Sequence, residues 1–249
     1  MEVPAVFVGC AGWSIPRPFA GRFEGEGSHL ERYARVFPAV EINSSFYRPH
    51  KPATYERWAA SVPEGFRFAV KVPRTITHSR RLRDIDAELR DFLAECEHLG
   101  AKLGPLLVQL PPTLRFDEPT ATAFFTTLRA HFDGEVAFEP RHITWFAPGP
   151  DNLLAQFRVA RVAADPAVAP GADEPGGWDG LMYYRLHGSP RIYYSAYPHD
   201  YLEVVAEKLN GAAAGGAQVW CIFDNTAEGA ATGDALAVMD MLQGHSKLA

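Results

Sequence analysis

Eight short apolar segments run through this chain, and seven of them end in residues that can do chemistry. Glu41 and Asn43 close AVEIN, Lys71 lies at the end of FRFAVKV, and Gln109 at the end of LLVQL. Glu139 closes VAFE, with Arg141 and His142 just beyond it. Asp165 ends ARVAAD, Arg185 and His187 end MYYRLH, and Asp224 and Asn225 end VWCIFDN. Carboxylates, imidazoles and amines move protons. Arginine forks grip phosphate or carboxylate oxygens. The first segment, VFVGC, exits instead through Gly12 and Trp13, a glycine that lets backbone approach and a large aromatic.

The charges in this set are balanced. Glu41, Glu139, Asp165 and Asp224 face Lys71, Arg141 and Arg185, with His142 and His187 able to add to the positive side. A site built only for a divalent cation would be more acidic. A balanced one suits a small anionic substrate, phosphorylated or nucleotide-like, held by Arg141 and Arg185 while a carboxylate moves a proton. Glu41, Lys71, Glu139, His187 and Asp224 are therefore assigned to metal-free acid/base catalysis. Trp13, Asn43, Tyr47, Gln109, Arg141, Arg185 and Asn225 are assigned to substrate binding, and no cofactor is predicted. Lys71 lies among apolar neighbours, where desolvation favours a free amine able to act as a base or nucleophile. An ion pair with Glu41 or Glu139 would instead hold it charged.

Two other readings stay open. Glu41, Glu139, His187 and Asp224 offer oxygen and nitrogen ligands for a divalent metal in a hydrolase or isomerase acting on a phosphodiester or a sugar. Alternatively, the loop aromatics Trp13, Phe46, Tyr47, Trp145, Tyr193, Tyr194 and Tyr197 could stack on bases in a binding module without turnover. Arg48, Lys51, Arg74, Arg80, Arg81 and Arg83 add a basic fringe to that reading. A glycosidase pair of Glu41 and Glu139 is disfavoured, because the two residues come from separated segments.

These residues must be positioned by strands. Several segments are almost continuously apolar, as strands covered on both faces are. Helical patterns separate most of them: Ser28 to Phe37 with a Ser28/Glu31 capping box, Asp84 to Leu99 stopped at Gly100, Glu118 to Phe132, Asp200 to Leu209, and Asp234 to Leu242. Eight strands with intervening helices in 249 residues fit one α/β domain, a parallel eight-stranded TIM (β/α)8 barrel over residues 1–249. All C-terminal strand ends of such a barrel share one rim, so residues remote in sequence converge there. Residues 166–181 carry too many prolines and glycines for a helix, which predicts an irregular connection in place of the sixth helix.

Hydrophobic residues make up 47% and charged residues 22%, the balance of a globular chain. A net charge of −6 gives no general attraction to nucleic acid or to an anionic membrane. Nucleic acid is therefore not favoured as a partner, and a membrane is not expected. Cys10, Cys96 and Cys221 form no metal-binding or disulfide spacing and read as reduced thiols. With no basic leader and no long apolar run, the expected location is the cytoplasm.

Taken together, GCAGW, VEINSSFYR, FAVKVPRTITH, LVQLPP, FEPRHITW, YYRLHG and FDNT resemble the DUF72, or YecE-like, family over nearly the whole chain. The resemblance implies a TIM barrel and leaves the reaction open. It also implies motif positions at Glu41, Asn43, Lys71, Gln109, Glu139, Arg141, Arg185, His187 and Asp224.

Overall fold

The computed structural model describes residues 6–246. Strands β1 (Val6–Cys10), β2 (Ala39–Ile42), β3 (Arg67–Lys71), β4 (Leu103–Gln109) and β5 (Val136–Glu139) fall where the apolar segments place them. The sixth segment is divided into β6 (Ala160–Arg161) and β7 (Ala163–Asp165). After it come β8 (Gly176–Gly177), β9 (Leu181–Leu186) and β10 (Gln218–Phe223). The helices are α1 (His29–Tyr33), α2 (Pro52–Ala60), α3 (Asp86–Cys96), α4 (Glu118–His131), α5 (Pro148–Gln156), α6 (His199–Ala214) and α7 (Ala230–Ser246). No helix forms between β7 and β9, where the proline- and glycine-rich segment makes turns and the short β8.

The strands form two sheets, one of four in the order β1-β10-β9-β7 and one of six in the order β2-β3-β4-β5-β6-β8. Every pairing is parallel except β6 with β8. Strand alternation sorts the side chains into two cores. Phe7, Ala39, Ala69, Leu107, Ala137 and Trp220, drawn from both sheets, share one inner cluster. Their sequence neighbours, such as Val8, Val40, Val70, Val108 and Phe138, belong to a second cluster formed with the helices.

The sheets meet between β1 and β2, where the ladder is reduced to a single bridge, Ala11 with Glu41. Gly12 N donates to Glu41 O at 2.9 Å beside it. The Tyr33 hydroxyl spans the same seam, accepting from Cys10 N at 2.8 Å and donating to Ala39 O at 3.1 Å. Close approach here depends on Gly9, whose Cβ would sit 2.1 Å from Ala39 O. Gly12 has a different reason to be glycine from the one its sequence suggests. A Cβ there would meet nothing within 4 Å, but its φ of +95° is one that side chains rarely adopt. At the other boundary, β6 and β7 are separated only by Val162, whose N–H continues the β5 ladder by donating to Phe138 O at 2.9 Å.

The Ser28/Glu31 capping box forms at the start of α1. Helices α2 and α5 are not among the patterned stretches, yet both begin with proline in the first turn, where its missing N–H and fixed φ cost nothing. Cys10, Cys96 and Cys221 are buried free thiols, and burial pushes Cys10 and Cys96 up to about 12. Among the described residues, no helix is long and apolar enough to cross a membrane.

Candidate active site

The polar residues come together because they continue the inner face of each strand by one more step. Ala39 and Glu41 are two apart on β2, as are Ala69 and Lys71 on β3, Leu107 and Gln109 on β4, and Ala137 and Glu139 on β5. Tyr183, Arg185 and His187 follow the same alternation along β9, and Ile222 and Asp224 along β10. The inner apolar cluster is thus overlaid by a buried polar layer.

Arg185 is its hub and is wholly buried. Its Nε and one terminal nitrogen hold both oxygens of Glu41, at 3.0 and 2.7 Å. That terminal nitrogen also lies 3.0 Å from Asp224 Oδ2, and the other donates to Glu139 Oε2 at 3.1 Å. Tyr183 Oη donates to Glu41 Oε2 at 3.0 Å. Glu139 accepts in addition from Gln109 Nε2, 3.0 Å from each oxygen, and from Arg141 at 3.4 Å. His187 bridges the two remaining carboxylates, with Nε2 2.9 Å from Glu139 Oε1 and Nδ1 3.0 Å from Asp224 Oδ2.

This geometry sets the charges. An imidazole facing carboxylate oxygen on both nitrogens donates twice only as the imidazolium. Burial works against that charge in His187, but Glu139 and Asp224 outweigh it and hold the ring above its ordinary pKa. Burial likewise works against the Glu139 carboxylate, yet His187 and Arg185 keep it well below the usual range. Asp224 is lowered for the same reason, by Arg185 and His187 against its burial. Arg185 remains firmly protonated, its burial outweighed by the three carboxylates.

Lys71 differs from the rest. It is 4% exposed, and its Nζ lies 4.4 Å from the centre of the Phe46 ring. Among the described residues, no carboxylate oxygen comes within 4.0 Å of it, so the ion pair with Glu41 or Glu139 does not form. Burial, reinforced by Arg185, pushes Lys71 down to about 8 against the pull of Glu41, Asp224 and Glu139. His78 packs edge-on against the same Phe46 ring, with 5.0 Å between centroids.

The other expected residues are placed less centrally. Arg185, expected on the substrate, has its donors on protein carboxylates, whereas the Arg141 side chain is 17% exposed and makes one long contact. Asn43 and Trp13 line a cavity of about 350 Å³ at the ends of β1 and β2, together with Gly12, His29 and Ser44. Oδ1 of Asn43 and Oδ1 of Asn225 are buried without a hydrogen-bond partner. Tyr47 is 70% exposed and lines a different cavity with Arg48, Arg74 and Glu95. Asp165 lies outside the Arg185 cluster and accepts from Tyr197 Oη at 2.8 Å.

Tyr183 and His78 are contributors that the sequence reading leaves out, and Phe46, read there only as a stacking aromatic, lies against Lys71 instead. Tyr183 could have been found from its place two residues before Arg185 on one strand face. The other two sit in short helical turns, Ser44–Phe46 and Thr75–Ser79, too brief for periodicity to mark them.

The metal reading meets a physical obstacle. Arg185 occupies the space between Glu41, Glu139 and Asp224, and both His187 nitrogens are on carboxylates. Among the described residues, no three His, Cys, Asp or Glu side chains are arranged to hold an ion. The basic loop is also engaged. Arg80 pairs with Glu88, Arg81 donates to Thr113 O at 3.0 Å, and Arg83 lies 3.8 Å from Asp117.

The family model described as "Protein of unknown function DUF72" matches residues 7–249. The chain belongs to the DUF72 family. The UPF0759 protein YecE of Escherichia coli K12 is 33% identical over 166 residues, which are 64% of this DUF72 chain and 59% of YecE. UPF0759 protein YunF of Bacillus subtilis 168 is 28% identical over 151 residues, 57% of this chain and 53% of YunF. The matches thus span between half and three-fifths of these curated relatives. Among solved structures, a DUF72 protein of Enterococcus faecalis V583 superposes with a TM-score of 0.80 at 22% identity, covering 96% of this chain and 95% of the other. A second, from Thermotoga maritima MSB8, gives 0.79 at 22% identity, with 96% and 99% covered. The DUF72 chain therefore shares their mixed α/β fold with parallel sheets.

Proposed function

We propose that the chain is one (β/α)8-barrel domain, its two sheets joined at the β1/β2 and β6/β7 seams, and that it is an enzyme acting on a small anionic substrate. The observation carrying this reading is the charge of Lys71. Each carboxylate of the layer is matched by Arg185, His187 or Arg141, while the buried ammonium, among the described residues, has no carboxylate oxygen within 4.0 Å. An isolated buried charge is costly, and an incoming phosphate or carboxylate removes that cost.

The roles shift from those read in the sequence. Lys71 and Arg141 take the anion, and Trp13 and Asn43, which line the cavity at the ends of β1 and β2, are assigned to the rest of the substrate. Lys71, which gains and loses a proton close to neutrality, is the acid/base group, because Glu139 and Glu41 are held as hydrogen-bond acceptors by their partners. Arg185, His187, Asp224 and Tyr183 keep that arrangement rigid.

Thermal unfolding with phosphate, glycerol 3-phosphate and nucleoside monophosphates tests the reading, with Mn²⁺ and a single-stranded oligonucleotide as separate additions. Stabilisation by a small phosphate in the wild type, lost in Lys71→Met and Arg141→Gln, is the expected result. Stabilisation by Mn²⁺ alone would replace it with the metal reading, and stabilisation by the oligonucleotide alone with the binding-module reading.

A further inference from the structure

The chain has five lysines, Lys51, Lys71, Lys102, Lys208 and Lys247. Lys102 Nζ donates to two backbone carbonyls, Ala59 O and Val62 O, at 2.6 Å each. Lys208 pairs with Glu174 at 2.7 Å. Lys51 is exposed just before α2, and Lys247 lies outside the described residues. Among the described lysines, Lys71 alone combines burial with an amine that no oxygen holds.

We propose that Lys71 is a covalent nucleophile, forming an imine with an aldehyde or ketone group carried by the anionic substrate. The inference rests on the anion-site reading and deepens it by naming a carbonyl compound as the substrate.

Three observations converge on this chemistry. A carboxylate in contact would keep the amine protonated and its lone pair occupied, and none is in contact. The side chain is almost wholly buried, which desolvates the amine, and this is how such lysines are made nucleophilic. Phe46 lies under Nζ, and its ring face attracts a cation. A protonated imine is still a cation, so this contact survives the reaction, and the positive charge remains to withdraw electrons from the carbon next to it.

The step balances without an oxidant or reductant. The free amine adds its lone pair to the carbonyl carbon, and the C=O π pair moves to oxygen, which takes a proton as nitrogen loses one. The resulting carbinolamine then takes a second proton on oxygen, expels water and forms the C=N bond. Hydrolysis is the reverse, so the amine is regenerated after the substrate has reacted.

The test is reductive trapping with cyanoborohydride at pH 7.5, followed by peptide mapping of all five lysines. Glyceraldehyde 3-phosphate and dihydroxyacetone phosphate serve as anionic carbonyl probes. Formaldehyde serves as a probe that needs no recognition. Lys71 is expected to be alkylated at least tenfold faster than Lys51 by the anionic probes. The Arg141→Gln variant should slow labelling of Lys71 by those two probes by a larger factor than it changes labelling by formaldehyde. Labelling confined to Lys51, Lys102, Lys208 or Lys247, with Lys71 unmodified by all three probes, overturns the proposal. In that case glycerol 3-phosphate, which has no carbonyl, separates the two ideas. Thermal stabilisation by it that depends on Lys71 leaves the anion site standing without the imine. Its absence removes both.

Discussion

Arg185 holds both oxygens of Glu41, a residue 144 positions earlier in the chain, through two parallel contacts of 3.0 and 2.7 Å in a buried layer. Planar guanidinium meets planar carboxylate, a geometry that lysine cannot copy.

Replacing Arg185 leaves Glu41, Glu139 and Asp224 as buried negative charges with too little compensation. Arg185→Met should therefore lower stability by about 3–5 kcal/mol, and Arg185→Lys by somewhat less. Urea unfolding of the purified variants measures this. A loss under 1 kcal/mol for Arg185→Met would mean that the carboxylates do not depend on the guanidinium.

The His187 imidazole has its folded pKa raised, after Glu139 and Asp224 overcome its burial. Folding therefore favours its protonated form. That contribution is complete below the unfolded value of about 6.5 and is lost as pH rises through the raised folded value. His187→Gln should be less stable than wild type at pH 6 and should lose the decline on the alkaline side. Unfolding midpoints collected from pH 5 to 9 reveal whether the two curves converge.

Lys71 has the opposite sign. Its folded pKa is lowered to about 8, so the unfolded chain binds the extra proton between about 8 and 10.5. Stability gained from this group rises with pH across that window, by no more than about 3 kcal/mol. Lys71→Met should be more stable than wild type at pH 7 while losing phosphate-dependent stabilisation. Equal stability of the two proteins at pH 7 would show that the ammonium is adequately solvated.

Tyr33→Phe removes one oxygen and leaves Cys10 N–H and Ala39 C=O unsatisfied at the seam between the sheets. A loss of about 1–3 kcal/mol is expected. Amide exchange should rise at Cys10 more than at the centre of β3. Unchanged protection at Cys10 would mean that water takes the place of the hydroxyl.

Much of the inner layer is legible because strand geometry is simple. Glu41 two after Ala39, and Glu139 two after Ala137, must share faces whatever the rest of the fold does. Burial of charged groups at matching strand ends then implies that they meet. Partner choice is not legible in this way. Nothing local to Arg185 says that its fork belongs to Glu41 rather than to a ligand, or that Lys71 stays outside ion-pair distance of every described carboxylate. Those outcomes depend on the exact spacing of strands far apart in sequence. Tyr47 shows a related limit, since its type suggests stacking, but a loop carries it to the outside. Helices α2 and α5 carry a proline in their first turn, Pro52 and Pro148, a start signal that a reading built on apolar runs passes over.

The sheet order has a consequence for how the chain is made. The six-stranded sheet joins segments that follow one another in sequence, so its ladders can form as each strand emerges from the ribosome. Strand β1 has no such neighbour. Its ladder partner is β10, with Val6 set against Val219, so of the described strands the earliest in sequence waits for the latest. Until then its exposed edge has the Tyr33 hydroxyl and the Ala11–Glu41 bridge to hold it against β2.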